Sequence, residues 1–200
     1  MRIIELILDE EQDDIGVEAI SIVESPAIES DFVALKNQEI KLAEVDKEKK
    51  ILMGALLIPN KPIYRNGEQG EYYIYFSKDT IVKASQMFLQ KGNQSNSTLE
   101  HDEVLSGLTL VESWIVEDKE KDKTALYGLD VPLGTWMGSV KVNNDEIWNE
   151  YVKSNKVKGF SIEGYFADKM EAPKEAIKED MSKDIELLNK IKDILNAKEQ

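Results

Sequence analysis

A chain of 200 residues, 42% of them hydrophobic, is long enough for one compact domain with appendages. Its formal net charge of −14 argues against phosphate-backbone binding, which needs clustered Lys and Arg, so no nucleic-acid partner is expected. With no cysteine, a thiol nucleophile, a disulfide framework and a thiolate metal site are excluded.

The start, Met1-Arg-Ile-Ile-Glu-Leu-Ile-Leu-Asp-Glu-Glu, is too short and too acidic for a signal peptide. No window reaches the roughly 18 apolar residues of a membrane span, so no membrane association is expected either. Ile3–Leu8 reads as a strand followed by an acidic turn, Asp9–Asp14. Glu18–Val23 is β-branched and ends before Pro26, which cannot donate to a ladder. Phe32–Leu35 is a further short strand, and the charged stretch Asn37–Lys50 is a linker or a solvated face.

Lys50–Ile58 is an apolar run stopped by Pro59-Asn60, as expected of a buried strand. Asn66-Gly67 predicts a hairpin turn between Ile63–Arg65 and Glu71–Ser77. Asp79–Lys91 carries Ile81, Ala84, Met87 and Phe88 at helical spacing, with Ser77 or Asp79 as cap and Gly92 as stop. Beyond the polar tract Gly92–Ser97, strands are expected at Leu108–Val116, Ala125–Val131, Ser139–Val142 and Val157–Phe166. Glu117–Lys123 is expected to be a turn, Pro132–Gly138 a loop and Asp145–Lys153 a short helix. Residues 1–168 are thus read as the folded domain and 169–181 as a charged linker. Residues 182–200 are read as an amphipathic helix whose stripe of Ile185, Leu188, Ile191 and Leu195 needs a surface to dock on. The fold class is mostly β with a few helices.

Chemistry that needs an imidazole has one candidate, His101, because the chain contains one histidine. In the last strand, period-two alternation sends Phe160, Ile162 and Phe166 to one face. Gly159, Ser161, Glu163 and Tyr165 go to the other, which presents Ser161 away from the core face among small neighbours. A serine hydroxyl is a poor nucleophile until a base takes its proton, and His101 is the one imidazole able to do so. The pattern alone leaves the bland reading standing: Ser161 as a tolerated small strand residue, His101 as a solvated loop residue. As a metal site, His101-Asp102-Glu103 lacks a second imidazole at helical spacing. Trp114, Trp136 and Trp148 read as core or interface anchors.

Six segments occur in order that together resemble the phage serine proteases of the XkdF type. They are Ile20-Ser-Ile-Val-Glu-Ser-Pro-Ala-Ile, Tyr72-Tyr-Ile-Tyr-Phe-Ser, Thr98-Leu-Glu-His, Val111-Glu-Ser-Trp-Ile-Val-Glu-Asp, Val131-Pro-Leu-Gly-Thr-Trp-Met and Val157-Lys-Gly-Phe-Ser-Ile-Glu-Gly-Tyr-Phe. The resemblance covers about residues 15–168. That family is similar to the prohead maturation proteases of tailed phages and to herpesvirus assemblins. It implies a small, mostly antiparallel β-barrel, circularly permuted because the Ile20-Ser-Ile-Val strand lies near the N-terminus instead of after the nucleophile.

The resemblance also implies His101 as general base, Ser161 as nucleophile, no cofactor and no metal. The implied reaction cuts scaffold and capsid-protein extensions inside a procapsid assembling in a bacterial cytoplasm. The implied partners are the scaffold and major capsid proteins, with the portal and a second copy of the chain as further candidates. Assemblins use a second histidine as third catalytic member, and this chain has none. Glu163 shares the face of Ser161, Glu18 lies one residue from the slot that an overlay gives to Ala19, and Glu112 lies on the strand after His101; these are the acidic candidates. An inactive assembly protein of the same fold is the competing reading, and a metal-dependent hydrolase the third.

Overall fold

Ile51 to Leu57 offers apolar side chains to both faces of a strand, so that strand must be covered on both sides. In the computed structural model, which describes residues 2–8, 15–27, 33–35, 49–67 and 70–168, this segment is β4 (Ile51–Leu57) and is buried from Leu52 to Leu57. It pairs antiparallel with β3 (Val33–Leu35) on one side and β10 (Trp136–Val142) on the other. β9 (Leu108–Ile115) pairs with β10 and completes the order β3-β4-β10-β9.

A second sheet, in the order β12-β1-β6-β5, contains β1 (Arg2–Ile7), β5 (Ile63–Gly67), β6 (Gly70–Phe76) and β12 (Ala167–Asp168). The third, in the order β11-β2-β7-β8, contains β2 (Gly16–Val23), β7 (Ser97–Leu99), β8 (Glu103–Leu105) and β11 (Gly159–Tyr165). The mostly-β expectation holds, but the barrel does not: among the described residues the strands form three separate four-stranded sheets. Neither is the pairing purely antiparallel. β1 lies parallel to β6 and β2 parallel to β7, so the two N-terminal strands occupy interior positions in two different sheets.

Helix α1 (Lys78–Gln90) buries Thr80, Ile81, Ala84, Ser85 and Phe88, one stripe at helical spacing. Ser77 caps it, its Oγ accepting from the Thr80 N–H, and Gly92 adopts φ 76° just past its end. The polar residues that follow tie this end to β2. Lys91 Nζ donates to the Ile15 carbonyl at 2.9 Å, Asn93 Nδ2 to that of Val17 at 3.1 Å, and Asn96 Nδ2 to that of Glu18 at 3.2 Å. The Phe88 ring meets Trp136 edge-on at 5.7 Å, and Phe76 meets Phe166 at 4.8 Å, which joins α1 and β6 to the neighbouring layers. Phe160 is buried as its strand face predicts, and Ile74 and Phe76 of β6 are buried with it; Trp114, Ile162, Phe166 and Tyr72 are partly buried against the same core.

Three local expectations need correcting. The strand expected at Ala125–Val131 is instead a short helix, α2 (Lys123–Leu126), followed by loop. Asp122 caps it by accepting from the Thr124 N–H at 2.8 Å, and the Tyr127 and Leu129 N–H groups bond back to the Thr124 carbonyl, so the backbone is satisfied locally. The Asn66-Gly67 pair is not the hairpin turn. β5 runs through both residues and Gly67 faces Gly70, which leaves residues 68–69 as the connection. The Tyr64–Tyr73 pair, with ring centroids 5.8 Å apart, and the Tyr64 hydroxyl donating to Glu71 at 2.8 Å hold that register. Strand β10 starts at Trp136, inside the expected loop, because the fully buried indole is held by its N–H donating to Ser113 Oγ at 2.9 Å. The helix expected at Asp145–Lys153 is present as α3 (Asp145–Ile147) and a π turn, Trp148–Val152. The Asp9–Asp14 turn, nearly all of the Asn37–Lys50 linker, the 169–181 linker and the 182–200 helix lie outside the described residues.

Strand β11 is kinked by a register shift between Glu163 and Gly164, where β2 comes unusually close. A Cβ on Gly164 would stand 2.1 Å from the Gly16 carbonyl oxygen and 2.8 Å from Val17 Cα, both backbone atoms that cannot swing aside. Gly164→Ala is therefore expected to cost about 3 kcal/mol, read as a fall of roughly 6–12 °C in the thermal midpoint for a chain of this size. An unchanged midpoint would show that the two strands can part at no cost.

Candidate active site

The loop expected at His101 is a tight turn between β7 and β8. The Asp102 N–H bonds to the Leu99 carbonyl at 3.0 Å, and Glu100 and His101 both take positive φ, 52° and 62°. Left-handed backbone costs a non-glycine residue about 1–2 kcal/mol, and such turns ordinarily use Asn-Gly or Asp-Gly. Glu-His at this place is strained, and its surroundings hold it there. Glu100 Oε1 accepts from the Glu24 N–H at 2.6 Å, and the Glu100 N–H donates to the Ile22 carbonyl at 3.2 Å. The His101 N–H donates to Ser21 Oγ at 3.0 Å, and the Ser21 hydroxyl lies 3.4 Å from the Thr98 carbonyl. Ser21 is wholly buried in β2 and staples the turn to the sheet.

Cross-strand register then sets the neighbours. Ser161 on β11 lies opposite Ser21 on β2, and Ser21 lies opposite Thr98 on β7. Residues directly opposite share a face, so Ser161, Ser21 and Thr98 form one row about two strand spacings, roughly 10 Å, across. Glu163, two residues along β11 from Ser161, rejoins this face. Its Oε1 accepts from the Thr98 hydroxyl and lies 3.1 Å from His101 Nδ1. An ionised carboxylate only accepts, so Nδ1 carries the proton in this contact and Nε2 is left as the basic nitrogen. The pair is half-open to solvent, with side-chain exposures of 42% for His101 and 30% for Glu163.

The structure thus brings His101 to Glu163 across 62 residues of sequence, and Glu163 shares β11 with Ser161. Among the described residues no hydrogen bond joins the Ser161 hydroxyl to the His101 ring. The other acidic candidates stand elsewhere. Glu112 on β9 accepts from Lys123 Nζ at 2.5 Å; Lys123, with Ser139 facing Glu112 across the strand pair, holds its carboxyl below the usual value. Glu18 is exposed on β2. Sequence reasoning passed over Ser21 and Thr98. Their signal was faint: small hydroxyl residues in otherwise apolar strands, whose importance shows only when β2 and β7 are laid side by side. Among the described residues no group of three or more His, Asp or Glu forms that could hold a metal ion, which leaves the metal-hydrolase reading without a donor set there.

A cavity of about 310 Å³ opens between β11 and the sheet of β1 and β6, with Ser161, Ile162 and Phe166 among its lining residues. Arg65, one of the chain's two arginines, also lines it, while Arg2 lies on β1. No helix among the described residues is long and apolar enough to cross a membrane.

No curated protein and no solved structure matched the chain. The family model described as "Putative phage serine protease XkdF" matches residues 39–171, two thirds of the sequence and a span that includes His101, Ser161 and Glu163. With that span matched, the chain belongs to the phage serine protease family of the XkdF type.

Proposed function

We propose that the chain is a serine endopeptidase that cuts extensions from scaffold and capsid proteins during procapsid maturation, with Ser161 as nucleophile and His101 as base. The observation that carries this reading is the His101 Nδ1–Glu163 contact of 3.1 Å, formed on the same sheet face as Ser161. A carboxylate on Nδ1 sets the ring's tautomer and orientation and stabilises the imidazolium that forms when Nε2 takes a proton.

In the first half of the reaction the Ser161 oxygen bonds to the peptide carbonyl carbon while its proton passes to His101 Nε2. The tetrahedral intermediate collapses as that proton moves to the leaving amine, giving an acyl-enzyme and a free amino terminus. Water then repeats the sequence with His101 as base, releasing the acid and restoring the serine. No hydrogen bond joins Ser161 to His101 among the described residues, and in enzymes without substrate catalytic hydrogen bonds often tighten only on binding. The strained turn supports the same reading, because a histidine sits where sterics favour glycine.

Co-expression with the cognate capsid and scaffold proteins tests this. Intact-mass spectrometry should find truncated capsid or scaffold chains with the natural sequence and full-length chains with Ser161→Ala. Full-length chains in both would instead favour an inactive assembly protein of this fold.

A further inference from the structure

We propose that the cavity beside Ser161 is the subsite for a large apolar side chain, such as Leu, Met or Phe, adjoining the cleaved peptide bond. The inference rests on the endopeptidase reading above and adds a substrate class to it. Its walls come from three directions: Leu6, Ile74 and Phe76 from the β1–β6 sheet, Leu57 from β4, and Ile162 and Phe166 from β11 and the residue after it. Ser161 itself lines the cavity, and on β11 it is two residues from Glu163, the partner of His101. A side chain lodged in the cavity would therefore bring its own backbone carbonyl to the serine.

Three features narrow the occupant. At about 310 Å³ the space is at the lower end for ligand pockets, enough for a side chain and its immediate flanks but not for a folded surface. The charged residues that line it are one of each sign, Arg65 and Asp168, so they favour neither acidic nor basic substrates, and apolar burial is left to supply the selection. β11 is the edge strand of its sheet, and an extended peptide laid along such an edge sends alternate side chains to the same side, one of them toward the cavity.

The binding arm of the test uses the full-length Ser161→Ala chain, which cannot turn over. In methyl NMR, N-acetyl-phenylalanine methylamide should shift the Leu57, Ile74 and Ile162 signals, and the alanine analogue should leave them nearly still. Absence of those shifts overturns the proposal whatever the chain cleaves. In the kinetic arm, the natural sequence should cleave peptides with Leu, Met or Phe at that position about 10- to 200-fold better, in kcat/KM, than peptides with Ala. Ala27→Phe, which fills the cavity from its lining, should reduce that ratio at least about 10-fold. Equal ratios for the two chains overturn the subsite. A natural-sequence chain that forms no Ser161 adduct with a fluorophosphonate, yet shows the NMR shifts on Ser161→Ala, would sink the endopeptidase reading alone and leave the apolar site standing.

Discussion

Ser161→Ala and His101→Ala are each expected to lower proteolysis by about 10⁴-fold or more, with the double variant scarcely lower than either. Groups that act as one unit behave this way, because removing either member already ends the proton transfer that both serve. Purified variants assayed on a capsid-protein substrate give the comparison. Losses that multiply in the double variant would mean that the two residues act separately. A His101→Ala chain of near-normal rate would remove the imidazole from the mechanism altogether. His101→Gly supplies a sharper form of the same test. The residue takes φ 62°, so glycine relieves backbone strain while deleting the ring. The half-exposed contact with Glu163 that it gives up contributes little stability. Thermal stability should hold or rise as activity disappears, which separates loss of chemistry from loss of fold.

Glu163→Gln should reduce kcat by about 10²- to 10⁴-fold with KM and thermal midpoint nearly unchanged. The carboxylate is expected to act through His101, holding Nδ1 protonated and the ring in place, so its loss is felt in the reaction step instead of in substrate binding. The amide is nearly the same size and retains an oxygen acceptor, which makes a folding defect a poor explanation for any loss. Thr98→Val, which removes the hydroxyl that donates to the same carboxylate, should give a smaller loss of the same kind. Wild-type turnover in Glu163→Gln would show the 3.1 Å contact to be incidental and leave Ser161 and His101 to work as a pair.

Much of the strand content was legible because it is local. β-branched residues marked β2, alternation marked β11, aromatic density marked β6, and a stripe at helical spacing between Ser77 and Gly92 marked α1. The face shared by Ser161 and Glu163 follows from a period of two within one strand, and the choice of His101 from the absence of any other imidazole. Three sheets in place of a barrel, and a Glu163 partnered with His101, depended on which strands became neighbours. β1 and β2 are short apolar strands with no turn joining them to β6 and β7, and nothing in either segment names a parallel partner some seventy residues away. The Ala125–Val131 run shows the same limit at short range: the expected strand yields to the Lys123–Leu126 helix and a loop once Asp122 accepts from both the Thr124 N–H and the Trp114 indole. Local sterics and turn chemistry act over a few residues and can be read in order along the chain. Strand order is decided by which arrangement buries both faces of β4 and satisfies the edges around it, a property of the whole fold.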